Sequence, residues 1–270
     1  MMKILGLLAF LLVACGVNTR EQPANNRLIQ PIVWHWEDEF SQVEKDKLIL
    51  YLTEVTQASF NVLGKYPFQM QFYLHRSKSE RESIPWAHTE RSEVEAVHFY
   101  VNPSFDLSVF RADWTAPHEI SHLSIPFLGK ANAWFSEGYA TYMQLQIMKE
   151  MGIYTSKEIL ERYKMKDNLV KGDFSSETNF VDEAKRLRET YNYPAMYWGS
   201  VRFFKTVDRL LQTQEHHSLT QHIKAYQNQN RLKDETLDDV LHSLDAGLKA
   251  PIFQKIYQKC CTSPFDEAFD

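Results

Sequence analysis

The residues of this chain that are best placed to do chemistry are His118, Glu119 and His122. Two histidines four positions apart lie on one face of a helix, about 6 Å apart, so both imidazoles can reach a single zinc ion. The carboxylate beside the first histidine is badly placed to be a further ligand, but it can take a proton from a metal-bound water. The segment therefore predicts two metal ligands and a general base.

A catalytic zinc site usually has three protein ligands and leaves a fourth position for water, so a third donor is needed. Glu137 is the candidate, and residues 123–136 separate it from His122. Pro126 and Gly129 in this interval allow a turn by which a second helix can pack against the first. The sequence thus predicts one zinc ion held by His118, His122 and Glu137.

These residues stand in two motifs, H-E-x-x-H at 118–122 and W-x-x-E-G-x-A-x-Y at 134–142. Together the motifs resemble the gluzincin metallopeptidases, which include thermolysin, the alanyl aminopeptidases and the glycyl-aminopeptidase-like group. The last group is the most similar, because Tyr197 opens a segment, 197–200, that resembles its downstream tyrosine segment. Over residues 29–270 the order of the predicted helices and strands resembles that of the family. The amino-acid motifs themselves match only at these three segments.

The resemblance implies a thermolysin-like zincin catalytic domain and gives each motif residue a role. By this resemblance His118, His122 and Glu137 hold the zinc ion. Glu119 is the general base, and Tyr197 supports the oxyanion during hydrolysis of a peptide bond by metal-activated water.

The sequence also departs from the family pattern. The connection between the second histidine and the third ligand is shorter than in thermolysin or the alanyl aminopeptidases, and Thr141 stands where thermolysin has a histidine-orienting aspartate. The segment G-x-M-E-N, by which alanyl aminopeptidases grip a free amino terminus, is missing from the corresponding strand at 96–101. The choice between internal and terminal cleavage, the substrate and the oligomeric state therefore stay open.

Two functional classes fit these residues. The first is a zinc-dependent peptidase that acts on peptides or on an envelope protein. The second is a metallopeptidase-like lipoprotein that binds an envelope partner or peptide without cleaving it. Glu119 favours the enzyme, because a pure binding protein has no use for a base beside its metal.

Each assignment has a plainer structural alternative. The histidine pair could be a polar surface pair, and Glu119 an ordinary solvated helix carboxylate. Tyr197 could be a packing residue, with Tyr193 or Tyr191 supplying the hydroxyl in its place. His98, on a predicted strand, and the pair His216 and His217, in a predicted loop, are expected to be structural or solvated rather than ligands.

The composition bounds the class of protein. A chain of 270 residues with 44% hydrophobic content can bury a sizeable core. The formal net charge is -5 and there is no basic run, so nucleic acid is not an expected partner. The adjacent Cys260 and Cys261 exclude a disulfide framework, and we expect them to pack near the C-terminus.

The N-terminus predicts export. Lys3 precedes an apolar stretch at 4–13 that is too short to span a bilayer, and the segment 12–15 resembles a bacterial lipobox ending at Cys15. We expect a signal peptide over 1–14, acylation of Cys15 and a tether over 15–27. Gly16 after the cysteine resembles an outer-membrane sorting signal, so the expected location is the periplasmic face of the outer membrane. An ordinary signal peptide or a loose anchor is the alternative.

The hydrophobic periodicity predicts an α+β fold, with a small mixed sheet and its helices followed by a mostly helical part. Residues 28–270 form the catalytic domain, divided into 28–125 with the active-site helix and a helical part over 126–270. Strands are predicted at 29–36, 68–74 and 96–101, the last bordering the cleft and able to pair with substrate, and residues 77–92 are predicted to be a loop. Helices are predicted at 40–63, 112–123, 134–151, 156–170, 181–190, 196–212, 219–228, 236–244 and 252–259.

Overall fold

The described residues, 32–91 and 94–269 in the computed structural model, form an α+β fold with a small mixed sheet and a majority of helix. The coarse prediction of fold class is therefore confirmed. The predicted signal peptide, Cys15 and the tether lie outside the described residues. Within those residues, no helix combines the length and the apolar character needed to cross a membrane.

The strands are β1 (Val33–Trp36), β2 (Met70–Arg76), β3 (Trp86–Arg91) and β4 (Glu95–Val101). They form one sheet in the order β1-β2-β4-β3. Strands β1, β2 and β4 run parallel, and β3 runs antiparallel to β4. Helix α1 (Gln42–Leu63) connects β1 to β2, as parallel neighbours require a crossover.

Strand β2 has the predicted alternation of apolar and polar side chains. Met70, Phe72 and Leu74 are buried against the helices, while Tyr73 and its alternate neighbours lie on the other face and are only partly buried. On that outer face the His98 ring stacks on Tyr73 at 4.4 Å. His98 is thus part of a ring stack on the sheet, in agreement with its predicted structural role.

Two predictions about the sheet were wrong. The segment predicted to be a loop at 77–92 contains strand β3, and β4 lies inside the sheet, hydrogen-bonded to β2 on one side and to β3 on the other. Strand β4 therefore has no free edge for a substrate. In the part of the chain described, β3 lies at the edge of the sheet, where polar side chains reach solvent. Its sequence is therefore charged like that of a loop, and the strand was not predicted.

The described residues contain ten α-helices, nine of which follow β4 along the chain. Their ends follow local signals: Ser41 and Glu44 form a capping box at the start of α1, and Gly64 ends that helix with a φ of 86°. The helices are α1 (Gln42–Leu63), α2 (Leu107–Ala112), α3 (Thr115–His122), α4 (Ala133–Glu150), α5 (Ser156–Val170), α6 (Phe180–Glu189), α7 (Tyr193–Leu210), α8 (Leu219–Gln229), α9 (Leu237–Asp245) and α10 (Ile252–Thr262).

Helix α4 lies at the centre of the helical part. Most of its side chains are buried on every face, as expected of a helix enclosed by others. Trp134 near its start is 1% exposed and packs edge-on against Phe180 and Phe203, so it anchors the helix in the core. Near the C-terminus Cys260 is buried and Cys261 is half-buried, both as free thiols, which agrees with a packing role.

Candidate metal centre

The first two donors lie on α3, a short helix that begins later than predicted. The predicted helix at 112–123 is interrupted at Asp113, whose carboxylate accepts the backbone N–H of Thr115 at 2.8 Å. Pro117 occupies the third position of α3, where no backbone donor is needed within the helix. The first helical hydrogen bond runs from His118 N–H to the Trp114 carbonyl, so the proline does not distort the segment that carries the histidines.

Three donor atoms meet at one point between α3 and α4. Nε2 of His118 lies 3.1 Å from Oε2 of Glu137 and 3.2 Å from Nε2 of His122. Nε2 of His122 lies 3.4 Å from the same carboxylate oxygen. Ligands held tetrahedrally at 2.0–2.1 Å from a zinc ion are about 3.3 Å apart, so this triangle has the size of one face of such a site. The predicted ligands therefore form a group that could hold a metal ion.

The hydrogen bonds of His118 also fit a cation. Its Nδ1 lies 2.8 Å from Oε1 of Gln144, an acceptor, so Nδ1 carries the proton and Nε2 presents a lone pair. That lone pair faces the Glu137 carboxylate, a second acceptor, so a cation between them, either a metal ion or a proton on Nε2, makes the approach favourable. Gln144 thus fixes the tautomer and ring orientation of His118, as outer partners of metal-binding histidines do.

The site is buried on one side and open on the other. The side chains of His118 and His122 are 2% and 3% exposed, while that of Glu137 is 22% exposed. Nδ1 of His122 is buried, with no hydrogen-bond partner among the described residues. His118 lines a cleft, so water or a substrate can approach the donors from that side.

Burial and mutual charge shift the acidity of the four groups. Burial would raise the pKa of Glu137, but interactions with His122 and His118 hold it well below its usual range. Burial lowers the pKa of His122 to about 4. Burial also acts to lower the pKa of His118, but Glu137 outweighs it and the pKa is raised. Glu137 is thus an anion and His122 a neutral imidazole at neutral pH, the states in which both bind metal.

Glu119 points to the open side rather than to the triangle of donors. It is half-buried and lines a cleft of about 450 Å³ together with His118 and Tyr197. Burial raises the pKa of Glu119 to about 7, which lies near the value that suits a group exchanging protons at neutral pH. The position and the acidity both agree with a general base.

Tyr197 reaches the cleft because α4 and α7 cross very closely. A Cβ at Gly138 would lie 2.4 Å from Cβ of Ser200, so only glycine fits at this crossing. Tyr197 lies one turn before Ser200, and its ring stacks on that of His118 at 5.9 Å. Burial and the carboxylates of the site raise the pKa of Tyr197 well above its ordinary value, so the hydroxyl keeps its proton.

The other two candidate tyrosines are less well placed. Tyr191 is 78% exposed, and Tyr193, which is 40% exposed, lines a neighbouring cavity instead of the cleft. Of the three tyrosines, only Tyr197 lines the cleft beside Glu119.

Two arginines from distant parts of the chain hold the C-terminal end of α3. Arg91 of β3 donates to the carbonyl oxygen of His122 at 3.0 Å. Arg231 donates to the carbonyl oxygen of Leu123 at 2.9 Å and forms an ion pair with Glu95 at 2.7 Å. Cations at this end satisfy unpaired carbonyl groups and complement the helix dipole, so they fix the helix that carries both histidines.

These supporting residues were not predicted from the sequence. Gln144 has one local signal, because it follows Glu137 by two helical turns and so lies on the same face of a buried helix. No local sequence signal predicts Arg91 or Arg231, since they come from a strand edge and a loop far from the motif. Thr141 makes no bond to a histidine, and its hydroxyl has no partner among the described residues.

No protein-family model matches the chain, and no curated protein matches it. The resemblance to gluzincins therefore stays a prediction that rests on the motifs.

Proposed function

We propose that this protein is a zinc-dependent peptidase of the gluzincin type. The observation that carries the proposal is the triangle formed by His118, His122 and Glu137, which has the dimensions of a zinc site and opens to a cleft lined by Glu119. A thermolysin-like zincin fold is part of the proposal. Two imidazoles and a carboxylate are the ligands of catalytic zinc sites in several peptidases, so zinc is the ion that this donor set fits best.

A bound zinc ion would polarise the peptide carbonyl and make water acidic enough to react at neutral pH. Glu119 accepts a proton from the water as its oxygen bonds to the carbonyl carbon. The C–N bond then breaks, and Glu119 passes the proton to the leaving amine nitrogen. The position of this carboxylate on the cleft wall, outside the ligand triangle, supports its role as the proton carrier.

Tyr197 stabilises the negative charge that develops on the carbonyl oxygen. Its hydroxyl remains protonated and can donate a hydrogen bond, and its ring is held against His118. A hydrogen-bond donor that is already in position stabilises the transition state, because no rearrangement is needed during the reaction.

An extended substrate fits along β3. This strand has one unpaired edge in the part of the chain described, and its Trp86 and Ala87 line the cleft. An unpaired edge offers N–H and C=O groups to a peptide backbone, and such pairing would lay a peptide across Glu119. Strand β3 thus replaces β4 as the expected strand partner.

The proposed setting is the cell envelope. Export and acylation at Cys15 would hold the enzyme at the periplasmic face of the outer membrane through its lipid alone. Its substrates would then be peptides or envelope proteins within reach of the tether.

A mixed peptide library tests the proposed activity. We expect zinc-loaded full-length protein to release new N-termini, and protein stripped with a chelator to release none until zinc is restored. Cleavage that is unaffected by complete metal removal would contradict the proposal, and so would a library left intact by the zinc-loaded protein.

Tyr197→Phe is expected to lower kcat by about 100-fold without loss of zinc, because losing one oxyanion donor typically costs about 3 kcal/mol of barrier. Turnover and zinc content should be measured on the same preparation. Tyr191→Phe removes an exposed hydroxyl nearby and should leave both unchanged. Equal turnover of Tyr197→Phe and wild type would eliminate the proposed role.

A further inference from the structure

A second cavity, here called the side cavity, adjoins the metal centre. It has a volume of about 350 Å³, within the usual size of ligand pockets, and it shares Trp114 and Tyr197 with the cleft. Gln144, which bonds to His118, is also part of its wall. The side cavity and the cleft are therefore neighbours, with Trp114 and Tyr197 in the wall of both.

The wall of the side cavity is mostly apolar and aromatic. Leu145 and Met148 come from α4, and Tyr193 and Trp198 come from α7. Such a surface favours an apolar or aromatic side chain, because water is released from both surfaces when they meet.

Helix α5 adds two cations to this apolar wall. Arg162 and Lys166 are four residues apart, both half-buried, and both line the side cavity. Like charges at this spacing destabilise a helix. The Lys166 ammonium lies 5.2 Å from the Trp198 ring, and Arg162 lies over the Tyr154 ring and donates to its hydroxyl at 3.0 Å.

Neither cation forms an ion pair or hydrogen bond with a carboxylate in the described part of the chain, although the charge of Arg162 acts on Glu158, one turn before it on α5. By contrast, Arg111 in a larger cavity of about 630 Å³ is paired with Glu54. The acidic residues of α5 and their partners are Glu158 with Thr155, Glu161 with Lys157, and Asp167 with Arg202.

A third polar group faces the same space without a partner. Thr141 is 2% exposed and lines the side cavity, and its hydroxyl makes no hydrogen bond with the described residues. A buried hydroxyl without a partner is costly.

We infer that the side cavity is the specificity subsite for an apolar or aromatic substrate residue that carries or precedes a carboxylate, with Arg162 and Lys166 binding that carboxylate. The inference rests on the proposed function for its link to cleavage, but binding itself does not depend on turnover. The carboxylate can be the C-terminus of a peptide or an acidic side chain next to the apolar residue. Both present the same charge to the two cations.

The test measures binding of acetylated dipeptides to zinc-loaded full-length protein with Glu119→Gln, which prevents turnover. The C-terminal arm compares acetyl-Phe-Phe with its amide. The side-chain arm compares acetyl-Phe-Glu-amide with acetyl-Phe-Gln-amide. We expect about tenfold tighter binding of the charged member in at least one arm, and the arm that responds identifies the source of the carboxylate.

The double variant Arg162→Gln, Lys166→Gln should abolish this preference while the affinity for the neutral peptides is kept. Glutamine is a good helix former, so α5 should remain folded. Lys164→Gln removes an exposed charge from the same helix and should leave the preference intact. Equal affinity for charged and neutral peptides in both arms would overturn the inference, as would a preference that survives the double substitution.

The two proposals can fail separately. If zinc-loaded wild type leaves a peptide library intact but the charge preference is found, the peptidase proposal fails and the side cavity stands as a peptide-binding site. If the library is cleaved but the dipeptides show no charge preference, only the inference about the side cavity is wrong.

Discussion

Glu119→Gln should lower kcat/KM for peptide cleavage by about 100-fold to 10,000-fold, the usual contribution of a positioned general base. Glutamine has nearly the same shape as glutamate but cannot accept the proton of the attacking water. Because Glu119 lies on the cleft wall and not in the triangle of donor atoms, zinc content should not change. The measurement is the rate of product formation from a peptide that the wild type cleaves, with zinc determined on each sample.

Glu235→Gln supplies the matched control for this substitution. Glu235 is exposed and lies in a loop before α9, so the same chemical change there should leave cleavage unaffected. Identical product profiles for Glu119→Gln and wild type would contradict the proposed peptidase activity. The alternative, a lipoprotein that binds peptides without cutting them, would then be favoured.

His122→Ala should lose most of its bound zinc. The variant keeps only two of the three donors. Losing a residue that merely hydrogen-bonds to a ligand lowers zinc affinity by up to about 100-fold, so losing a ligand itself should lower it by more. Zinc at 100 times its dissociation constant stabilises a folded protein by about 2.7 kcal/mol. Added zinc should therefore raise the Tm of the wild type and leave that of His122→Ala almost unchanged.

The readout by Tm separates metal binding from catalysis. Glu119→Gln should keep the full zinc-dependent rise in Tm, although it is inactive. His242→Ala, which removes an exposed histidine from α9, should behave as wild type in both measurements. An undiminished zinc stoichiometry in His122→Ala would overturn the ligand assignment.

The ligands could be predicted from the sequence because the helix period alone places His118 and His122 on one face. Glu137 followed from the need for a third donor and from the family resemblance of its flanking residues. Each of these signals is local, or depends on one turn between two helices. The structure brings the three side chains together as predicted.

The parts that could not be predicted depend on long-range packing. Strand β3 reads as a polar loop because its outer edge is exposed, and its position decides which strand can meet a substrate. Arg231 contacts Leu123 at the end of α3 although the two residues are 108 positions apart, so no local sequence pattern predicts this contact. The close crossing at Gly138 is visible only when α7 is placed, since a glycine after Glu137 could equally be a weak point of the helix.

X-ray absorption at the zinc edge of the full-length protein loaded with one equivalent of zinc tests the central proposal most directly. We expect a single shell of nitrogen and oxygen at about 2.0–2.1 Å with the scattering of two imidazoles, and loss of most of this imidazole scattering in His122→Ala, because that variant no longer holds the ion. A sulfur shell at about 2.3 Å, four protein donors with no solvent position, or a spectrum unchanged by the substitution would contradict the proposed metal centre.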